Sequence, residues 1–588
     1  MKIESLTISN WRSIQSLEIA FQDLMIFIGQ NNHGKSNVLS ALLFFFGEIK
    51  PQDMDFNRDE QELFVEITFG ELDATDKKTF KKYLTANESI KVRKLAYVGG
   101  NFEYHGYIQN PVDEWLREGN ASTYLKREAA ERLPFYSFLP AAGRLTKQDI
   151  VDAQTTYIEQ NVSDIEFNFE LEETNFLGLK SVAKGIFGDI YFIPAVKDAS
   201  DDFSSKEASA FGKLYSSIID SMSASNPDWK DTKAKLSSLF SKLNRLNEDG
   251  EKNPNRPEEL VNFEKSLSTE LNSWGAEIDV EVIPPNIDDV FRAHTQVWIN
   301  DGVRTDIRRK GHGLQRALTF ALIKVISDNL KAEREKAAPE QIATRSASAS
   351  TYFILEEPEL YLHPQAQRAL FDSLVSLSES KNQVVMCTHS SALIDVNRYK
   401  SICIVKKDSD VVGTQVCQCT DDIFTGNKKQ NFNLSYWINP DRSELFFAKR
   451  VLLVEGPTDK TLIPWLAKRL RVFRFDYTVI DCGSKNNIPL YCQLLNKFKI
   501  PYIAIYDKDH QATKNDNDKA TADKMSKFIE EAIEKGIGNS VMLVNDIEEE
   551  VGMIAGEKTK PFVALTHITS PEFTISPELI KKIKLMYE

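Results

Sequence analysis

The chain has 588 residues, several times the usual domain length of roughly 100–200 residues, so we expect two large domains and an insertion. No run of about 18 apolar residues is present and the first residues alternate like a strand, so we expect a cytoplasmic protein with no membrane partner. The net charge of −14 argues against extensive nucleic-acid contact, yet local basic stretches at 304–310 and at Lys449-Arg450 leave a DNA groove open.

A phosphate-binding loop is predicted near the N-terminus. The apolar run Leu24–Ile28 indicates a buried strand that ends at Gly29, and a helical pattern follows over residues 37–46. In such a loop glycines let the backbone wrap the phosphates, Lys35 reaches the terminal phosphates and Ser36 binds Mg²⁺. A glycine turn before an amphipathic helix is the alternative. The predicted binding residues are Gly29, Asn31, Asn32, Gly34, Lys35 and Ser36.

Residues 205–278 are predicted to form a helical insertion. Apolar residues recur at helical spacing in three stretches, and polar joints at 224–228 and 247–257 separate these stretches. We expect a bundle of helices, for which a scaffold role and a dimerisation role are equally open.

Two further motifs follow the insertion. Gly311 and Gly313 open a predicted helix whose N-terminus can present amides to phosphate, although a helix cap explains them equally well. An apolar run then ends in Glu356 and Glu357, and the next apolar run leads to His389. Glu356 is suited to hold magnesium through water, Glu357 to polarise the attacking water, and His389 to sense the γ-phosphate. The alternatives are a capped strand for Glu356 and Glu357 and a core or turn histidine for His389; taken singly, His389 is better explained by that alternative.

In this order, the motifs of the N-terminal part resemble the ATPase head of the ABC class, in the branch with SMC-type and OLD-type (overcoming lysogenisation defect) heads. The resemblance implies ATP with Mg²⁺ as cofactor, and a dimer in which the signature glycines of one subunit close on ATP held by the other. Two positions depart from the pattern. Glu356 stands where many relatives have Asp, and Lys-Gly-His-Gly at 310–313 replaces a serine followed by two glycines. We therefore expect slow or DNA-gated ATP turnover.

The C-terminal part alternates strands and helices, which predicts a parallel sheet with ligands at the carboxyl ends of its strands. Glu455, Asp507 and Asp509 follow such strands, and Asp459 lies one helical turn beyond Glu455. Hard oxygen ligands of this number suit Mg²⁺ or Mn²⁺, and two such ions can stabilise both oxygens of a phosphodiester exchange. For any one motif in isolation, solvated loop carboxylates are the alternative.

The sequences Val-Glu-Gly-x-x-Asp, Gly-Ser-Lys and Tyr-Asp-Lys-Asp, in this order, resemble a TOPRIM domain. By that resemblance Glu455 is the invariant acid, Asp459 its OLD-type companion, and Asp507 and Asp509 the paired aspartates. The fifth carboxylate is assigned to Glu548, with Glu549 and Glu550 as alternatives, and the catalytic lysine to Lys560, with Lys558 as the alternative. The predicted catalytic residues are Glu455, Asp507, Asp509, Lys560 and, at the ATPase head, Glu357; the predicted metal ligands are Glu455, Asp459, Asp507, Asp509, Glu548 and Ser36.

The whole arrangement resembles the OLD family, so the predicted fold class is α/β: an ABC-type P-loop ATPase with a helical insertion, then a Rossmann-like TOPRIM domain. The predicted boundaries are 1–204, 205–278, 279–425 and 426–588. The resemblance implies a nucleotide-regulated, metal-dependent DNA endonuclease or nickase in anti-phage defence. It also implies a homodimer or higher oligomer, with or without a helicase-like or retron partner. A DNA-maintenance ATPase with a non-cleaving TOPRIM domain and a nucleotide-sensing assembly protein remain open.

Overall fold

The structure is a computed structural model whose chain divides into two compact units. The first comprises 1–195, 337–360 and 367–588, and the second 196–336 and 361–366. The structure describes residues 1–58, 60–161, 164–172, 174–179, 182, 185–195, 215, 219, 226–243, 253, 254, 256–271, 280, 298–322, 325, 348, 350–379, 382–407, 409, 411–423, 440–553 and 560–588. No helix in these ranges is both long and apolar enough to cross a membrane.

The strands are numbered in chain order. In the N-terminal part and the second unit they are β1 (Lys2–Trp11), β2 (Ile14–Ala20), β3 (Leu24–Ile28), β4 (Glu62–Gly70), β5 (Ile90–Tyr97), β6 (Phe102–Pro111), β7 (Phe167–Leu171), β8 (Asp189–Ile193), β9 (Trp298–Asn300), β10 (Arg304–Asp306), β11 (Thr351–Glu356), β12 (Gln383–Cys387), β13 (Ile402–Lys406) and β14 (Gln415–Gln418). In the C-terminal part they are β15 (Arg450–Val454), β16 (Tyr477–Asp481), β17 (Tyr502–Asp507) and β18 (Gly538–Leu543).

The helices are numbered in the same way. They are α1 (Lys35–Phe45), α2 (Ala74–Thr79), α3 (Arg127–Ala130), α4 (Lys147–Gln160), α5 (Pro227–Leu243), α6 (Glu258–Glu270), α7 (Pro364–Ser378), α8 (Pro457–Arg469), α9 (Ile488–Lys497), α10 (Asp516–Ala532), α11 (Ile547–Glu550), α12 (Lys560–Thr569) and α13 (Pro577–Tyr587). A further helical stretch covers residues 312–322.

Two six-stranded sheets form the N-terminal part of the first unit. One is antiparallel, in the order β2-β1-β4-β5-β6-β7, and the other runs β14-β13-β3-β12-β11-β8 with only β14 antiparallel to its neighbour. Strands β3 and β12 are buried along their whole length, as expected for the centre of a parallel sheet covered on both faces. Helix α1 contacts both sheets, so the residues that follow β3 are anchored in the core.

The C-terminal part of the first unit is a four-stranded parallel sheet in the order β16-β15-β17-β18. Its central strands are apolar and buried, and α8 packs with α12 and α13 over a core that includes Leu452, Ile503 and Ile583. Because parallel strands all end at the same edge, the residues that follow β15, β16, β17 and β18 lie together.

The second unit contains the described part of the predicted insertion. Helices α5 and α6 cover portions of the second and third apolar stretches, whereas only Tyr215 and Ile219 of the first are among the described residues. Leu239 of α5 and Phe263 of α6 expose about half of their surface, 55% and 53%. The dimerisation role of this insertion stays a prediction.

Two candidate sites at the carboxyl ends of parallel strands

A cavity of about 620 Å³ lies at the carboxyl edge of the C-terminal sheet. All four strands contribute to its wall through the residues that follow them, so side chains far apart in the sequence meet there. The carboxylates that line it are those of Glu455, Asp459, Asp507, Asp509, Asp546 and Glu548. The structure therefore brings together the five acidic residues that the sequence predicts as metal ligands, and adds Asp546.

Three of these carboxyl groups are packed closely at the ends of β15 and β17. The backbone N–H of Asp507 donates to Oε1 of Glu455 at 2.7 Å. Asp459 lies in the first turn of α8, where its carboxylate accepts a hydrogen bond from the backbone N–H of Gly456 at 3.3 Å, and only 6% of the residue is exposed. The carboxylates of Glu455 and Asp459 are thus each positioned by a backbone N–H.

Burial makes the charged forms of these groups unfavourable. It is the main cause that raises the pKa of Asp459 to about 7, and it raises the pKa values of Glu455 and Asp507 as well. Neighbouring carboxylates add to the shifts of Asp459 and Asp507. Oδ1 of Asp459 and Oδ1 of Asp507 are also buried, and neither has a hydrogen-bond partner among the residues that the structure describes. Buried carboxylate oxygens without donors are what a bound cation would satisfy.

Asp509 has a different environment, because two lysines engage its carboxylate. Lys514 Nζ lies 2.6 Å from Oδ1, and Lys485 Nζ lies 3.3 Å from Oδ2 while also donating to the backbone carbonyl of Asp507. Gly-Ser-Lys was part of the predicted motif, but neither lysine was predicted as a site residue. The position of Lys485 four residues after the end of β16, in the loop at the carboxyl edge of the sheet, is the signal that points to it.

Hydrogen bonds distinguish the acidic residues of the run 546–550. Glu549 accepts from the side chain of Asn545 at 2.6 Å, and Glu550 is engaged by Lys582, whereas Glu548 lines the cavity. Asp546 caps α11 through the N–H of Glu549 at 2.8 Å. Glu548 is accordingly the member of the run that faces the other carboxylates.

The predicted lysine cannot be placed in the same way. Lys558 lies outside the described residues, and so does the side chain of Lys560, whose backbone begins α12. Among the described residues, no group of three or more His, Cys, Asp or Glu side chains is already arranged to hold a metal ion. The chemistry of these oxygen donors, and the buried oxygens of Asp459 and Asp507 that have no hydrogen-bond partner among the described residues, nevertheless fit Mg²⁺ or Mn²⁺.

The second site is the loop between β3 and α1, which contains Asn31 and Asn32. Gly29 and Gly34 have φ of +142° and +104°. A Cβ at Gly29 would lie 2.2 Å from the carbonyl oxygen of Val405, and a Cβ at Gly34 2.3 Å from the hydroxyl of Thr414. Both positions therefore require glycine.

Lys35 and Ser36 begin α1, two residues earlier than the sequence pattern predicts, because the left-handed Gly34 ends the loop directly before them. Lys35 Nζ donates to the carbonyl oxygens of Gly29 at 2.9 Å and Gln30 at 3.0 Å, and burial lowers its pKa. The hydroxyl of Ser36 donates to the carboxylate of Glu356 at the end of β11. Ser36, the predicted Mg²⁺ ligand of the ATPase head, is thus in contact with Glu356, which is predicted to hold Mg²⁺ through water.

Glu357 and His389 follow β11 and β12, which are neighbours in the sheet. Glu357 has φ of +43° and its N–H donates to the carbonyl of Cys387 at 2.9 Å, while its carboxylate lies 3.6 Å from Nε2 of His389. Burial, then the Lys35 cation, lowers the pKa of His389. Glu359, which the sequence did not single out, accepts a hydrogen bond from the backbone N–H of His389 at 2.6 Å. The sequence position of Glu359, two residues after Glu357, indicates a role beside His389 only when the conformation of the turn after β11 is known.

Gly311 and Gly313 lie in the second unit. Gly311 precedes the helical stretch 312–322, and a Cβ at Gly313 would lie 3.1 Å from the carbonyl oxygen of Tyr361. The ring of His312 stacks on that of Tyr361, with 5.0 Å between the centroids. Close packing explains Gly313 within its own unit, and the nucleotide-binding role of the pair stays a prediction.

Two models of known protein families match this chain, one in its N-terminal part and one in its C-terminal part. Residues 1–394 match the model of an AAA ATPase domain, and residues 446–509 match the TOPRIM domain of overcoming-lysogenization-defect-like proteins. The chain belongs to the OLD family. Its fold is mixed α/β, with a P-loop ATPase part followed by a TOPRIM domain, as the sequence predicts.

Individual OLD-family relatives are similar over different lengths. The Old nuclease of Escherichia phage P2 is 24% identical over 526 residues, which cover 87% of this chain and 77% of that protein. The OLD nuclease of Thermus scotoductus is 37% identical over 161 residues, 26% of this chain and 30% of that one. The endonuclease GajA of Bacillus cereus strain VD045 is 21% identical over 469 residues, 79% and 67% of the two chains. The solved SMC head domain from Thermotoga maritima aligns with 72% of this OLD-family chain and all of its own, at 13% identity and a TM-score of 0.28.

Proposed function

We propose that this OLD-family protein is a metal-dependent DNA endonuclease or nickase whose cutting is controlled by ATP at the N-terminal head. That it is a nuclease with an ATPase domain follows from its family. The observation that carries the finer proposal is the acidic cavity, where Asp459 and Asp507 each have a buried oxygen with no hydrogen-bond partner in the described part of the chain. Such a cluster is unfavourable by itself, and a divalent cation offsets its repulsion.

The residues of the cavity would have different roles in phosphodiester hydrolysis. Bound Mg²⁺ or Mn²⁺ supplies Lewis acidity and a water of lowered pKa. Glu455, held by the N–H of Asp507, and Asp459, held by the N–H of Gly456, orient oxygens toward the interior of the cavity. Lys485 places positive charge at the wall, where it attracts a phosphate and opposes the negative charge that accumulates during attack. Lys560 remains the residue predicted to do the same from α12.

The N-terminal head would bind ATP between its glycine loop and the ends of β11 and β12. Lys35 must release the loop carbonyls to reach the phosphates, and Ser36 with Glu356 would hold Mg²⁺. Glu357 is placed to orient the attacking water, with His389 beside it. In the dimer of heads implied by the family, Gly311 and Gly313 of the other subunit would complete this site.

The proposed biological role is anti-phage defence, acting on DNA as a homodimer or higher oligomer. Support comes from the OLD family itself, since the family resemblance implies this role. A helicase-like or retron partner would add recognition of the target, and the nuclease centre of this chain would still perform the cut.

The test is cleavage of supercoiled plasmid with Mg²⁺ or Mn²⁺, with and without ATP. Asp507→Asn removes the central carboxylate and should abolish cutting in every condition. Asp523→Asn is the matched control, because Asp523 is an exposed acid of α10 paired with His510 at 2.8 Å, outside the cavity. Normal cutting by Asp507→Asn would refute the proposed centre. Hydrolysis of ATP stimulated by DNA, without cutting by the wild type, would instead favour a DNA-maintenance ATPase.

A further inference from the structure

The edge of the C-terminal sheet opposite the cavity is strongly basic. Residues 460–475 contain five basic side chains and not one acidic side chain, although the whole chain has a net charge of −14. The five are Lys460, Lys468, Arg469, Arg471 and Arg474. This stretch runs through α8 and the turn that leads into β16, so its last residues lie at the amino ends of the parallel strands.

The fold brings a second basic stretch to the same place. The backbone N–H of Lys449 donates to the carbonyl oxygen of Asp476 at 2.8 Å, which joins the start of β15 to the start of β16. The guanidinium of Arg450 lies over the ring of Tyr477, 5.1 Å from its centroid. Asp476, which follows Phe475 in the sequence, pairs with Arg474 at 2.8 Å. A positive surface results from stretches about twenty residues apart in the sequence.

An aromatic ring projects from the middle of these cations. Phe475 is 93% exposed. Phe473 packs edge-on beneath it, with 5.1 Å between centroids, and contacts Tyr587 of α13 at 6.0 Å. The ammonium of Lys468 lies 4.8 Å from the centroid of Phe473. The ring of Phe475 is thus supported from below and open above, an arrangement that offers one face to a planar ligand.

We propose that this basic–aromatic surface, formed by Lys449, Arg450, Lys468, Arg471, Arg474 and Phe475, binds a DNA strand with unpaired bases. Cations that follow a phosphate backbone, together with an aromatic ring on which a base can stack, are the two features by which proteins bind single strands. An apolar protein partner would contact the exposed ring of Phe475 but would leave the surrounding cations unpaired, whereas a single strand of DNA uses both.

The position of the surface defines what it would do. It lies at the amino ends of β15 and β16, whereas the cavity lies at their carboxyl ends. Five or six residues of strand at about 3.3 Å each separate the two by roughly 15–20 Å. The inference rests on the proposed nuclease function and extends it: the surface holds a single-stranded segment several nucleotides away from the position of the cut.

Binding is tested with the full-length protein in EDTA, so that nothing is cut, using a labelled 30-nucleotide single strand and the matching duplex. Phe475→Ala should weaken single-strand binding about five-fold or more and change duplex binding little, because only unpaired bases stack on a side chain. Phe528→Ala is the matched control: Phe528 is 45% exposed and has Lys524 over its ring at 5.8 Å, but it lies on α10. This control should bind like the wild type.

Charge is tested separately through the salt dependence of binding. Arg471→Ala with Arg474→Ala should lower affinity for the single strand and reduce the slope of log K against log salt by about 1.4, at roughly 0.7 for each phosphate that is no longer neutralised. Lys524→Ala with Lys527→Ala removes the same charge from α10 and should leave the slope unchanged. All these side chains are exposed, and unchanged thermal unfolding would confirm that the variants are folded.

The proposal is overturned if the wild type does not bind the single strand, or if the basic–aromatic variants bind it like the α10 variants. A loss confined to the duplex would also overturn it. Plasmid cleavage separates this result from the nuclease proposal. A wild type that binds through the surface but never cuts would refute the nuclease centre alone, whereas normal cutting with unchanged binding in the variants would refute the surface alone.

Discussion

The N–H of Asp507 donates to Oε1 of Glu455 at 2.7 Å, across the neighbouring strands β17 and β15. The ladder between these strands fixes the bond, because Leu453 is paired with Ala504 and the chains then continue in parallel to the two acids. Two carboxyl groups are therefore forced together by the sheet itself. The fold therefore imposes repulsion between the carboxylates of Glu455 and Asp507 in the metal-free protein, and a bound cation would reduce that repulsion.

Asp459→Asn is expected to make the metal-free protein more stable at pH 8 than the wild type, and to reduce the dependence of its stability on pH. Burial raises the pKa of Asp459 to about 7, well above the unfolded value of about 3.9. Between these values the folded state binds more protons than the unfolded state, so the free energy of unfolding falls as pH rises. Once the pH is well above 7, the stabilisation from protonated Asp459 is fully lost. Thermal unfolding in EDTA from pH 5 to 8.5 measures it.

The difference between the two unfolding curves is the quantity to compare, because Glu455 and Asp507 shift in the same direction and remain in the variant. Asp523→Asn should follow the wild type. Adding Mn²⁺ at pH 8 should raise the thermal stability of the wild type more than that of the variant, because the ion binds only the folded state. Equal pH profiles for Asp459→Asn and the wild type would show that Asp459 is charged without penalty.

Lys514→Met is expected to raise the affinity for Mn²⁺ about two- to five-fold, the size of one partly exposed ion pair. Lys514 Nζ lies 2.6 Å from Oδ1 of Asp509, so the ammonium and a divalent cation compete for one carboxylate. Isothermal titration of metal into the DNA-free protein gives the affinity directly. Lys527→Met, which removes an exposed lysine paired with Glu531 at 3.8 Å, is the control. Unchanged Mn²⁺ affinity together with slower cutting would assign Lys514 to phosphate contact instead.

Sequence patterns located the candidate acids because the ends of apolar runs mark the carboxyl edge of a parallel sheet. Glu455 and Asp507 follow from that rule alone. Lys514 could not be predicted, because it lies in an aperiodic loop whose path depends on tertiary contacts. Glu359 was missed for a related reason: the turn after β11 takes a left-handed conformation at Glu357, a non-glycine residue that carries no turn signal. The local hydropathy pattern of the sequence identifies where a strand ends, whereas the backbone conformation of the turn that follows depends on tertiary packing.

Gly29→Ala is expected to lower ATP affinity at least ten-fold. The new Cβ would meet the carbonyl oxygen of Val405 at 2.2 Å and would require a φ of +142°, so the loop must move away from β13. Titration with a fluorescent ATP analogue measures the loss. Gly119→Ala is the control, since no atom lies within 4 Å of its added Cβ. ATP affinity like that of the wild type in Gly29→Ala would mean that phosphate is bound elsewhere.

Glu357→Gln is expected to keep ATP binding and to slow ATP hydrolysis about 100-fold or more, the usual contribution of a positioned general base. The N–H of Glu357 is tied to the carbonyl of Cys387 at 2.9 Å and its carboxylate lies 3.6 Å from His389, so the amide would occupy the same place without accepting a proton. Glu379→Gln, an exposed acid paired with Arg398 at 2.8 Å, is the control. ATP affinity and phosphate release are measured separately.

The same variant tests how the head controls the nuclease. If the ATP-bound state sets the rate of plasmid cutting, Glu357→Gln with ATP should cut at the rate that the wild type shows with a non-hydrolysable ATP analogue. Hydrolysis of ATP at the wild-type rate by Glu357→Gln would remove this residue from the role of water-orienting base. In that case Glu359, which accepts the N–H of His389 at 2.6 Å and whose pKa is raised by burial, would be the next carboxylate to replace.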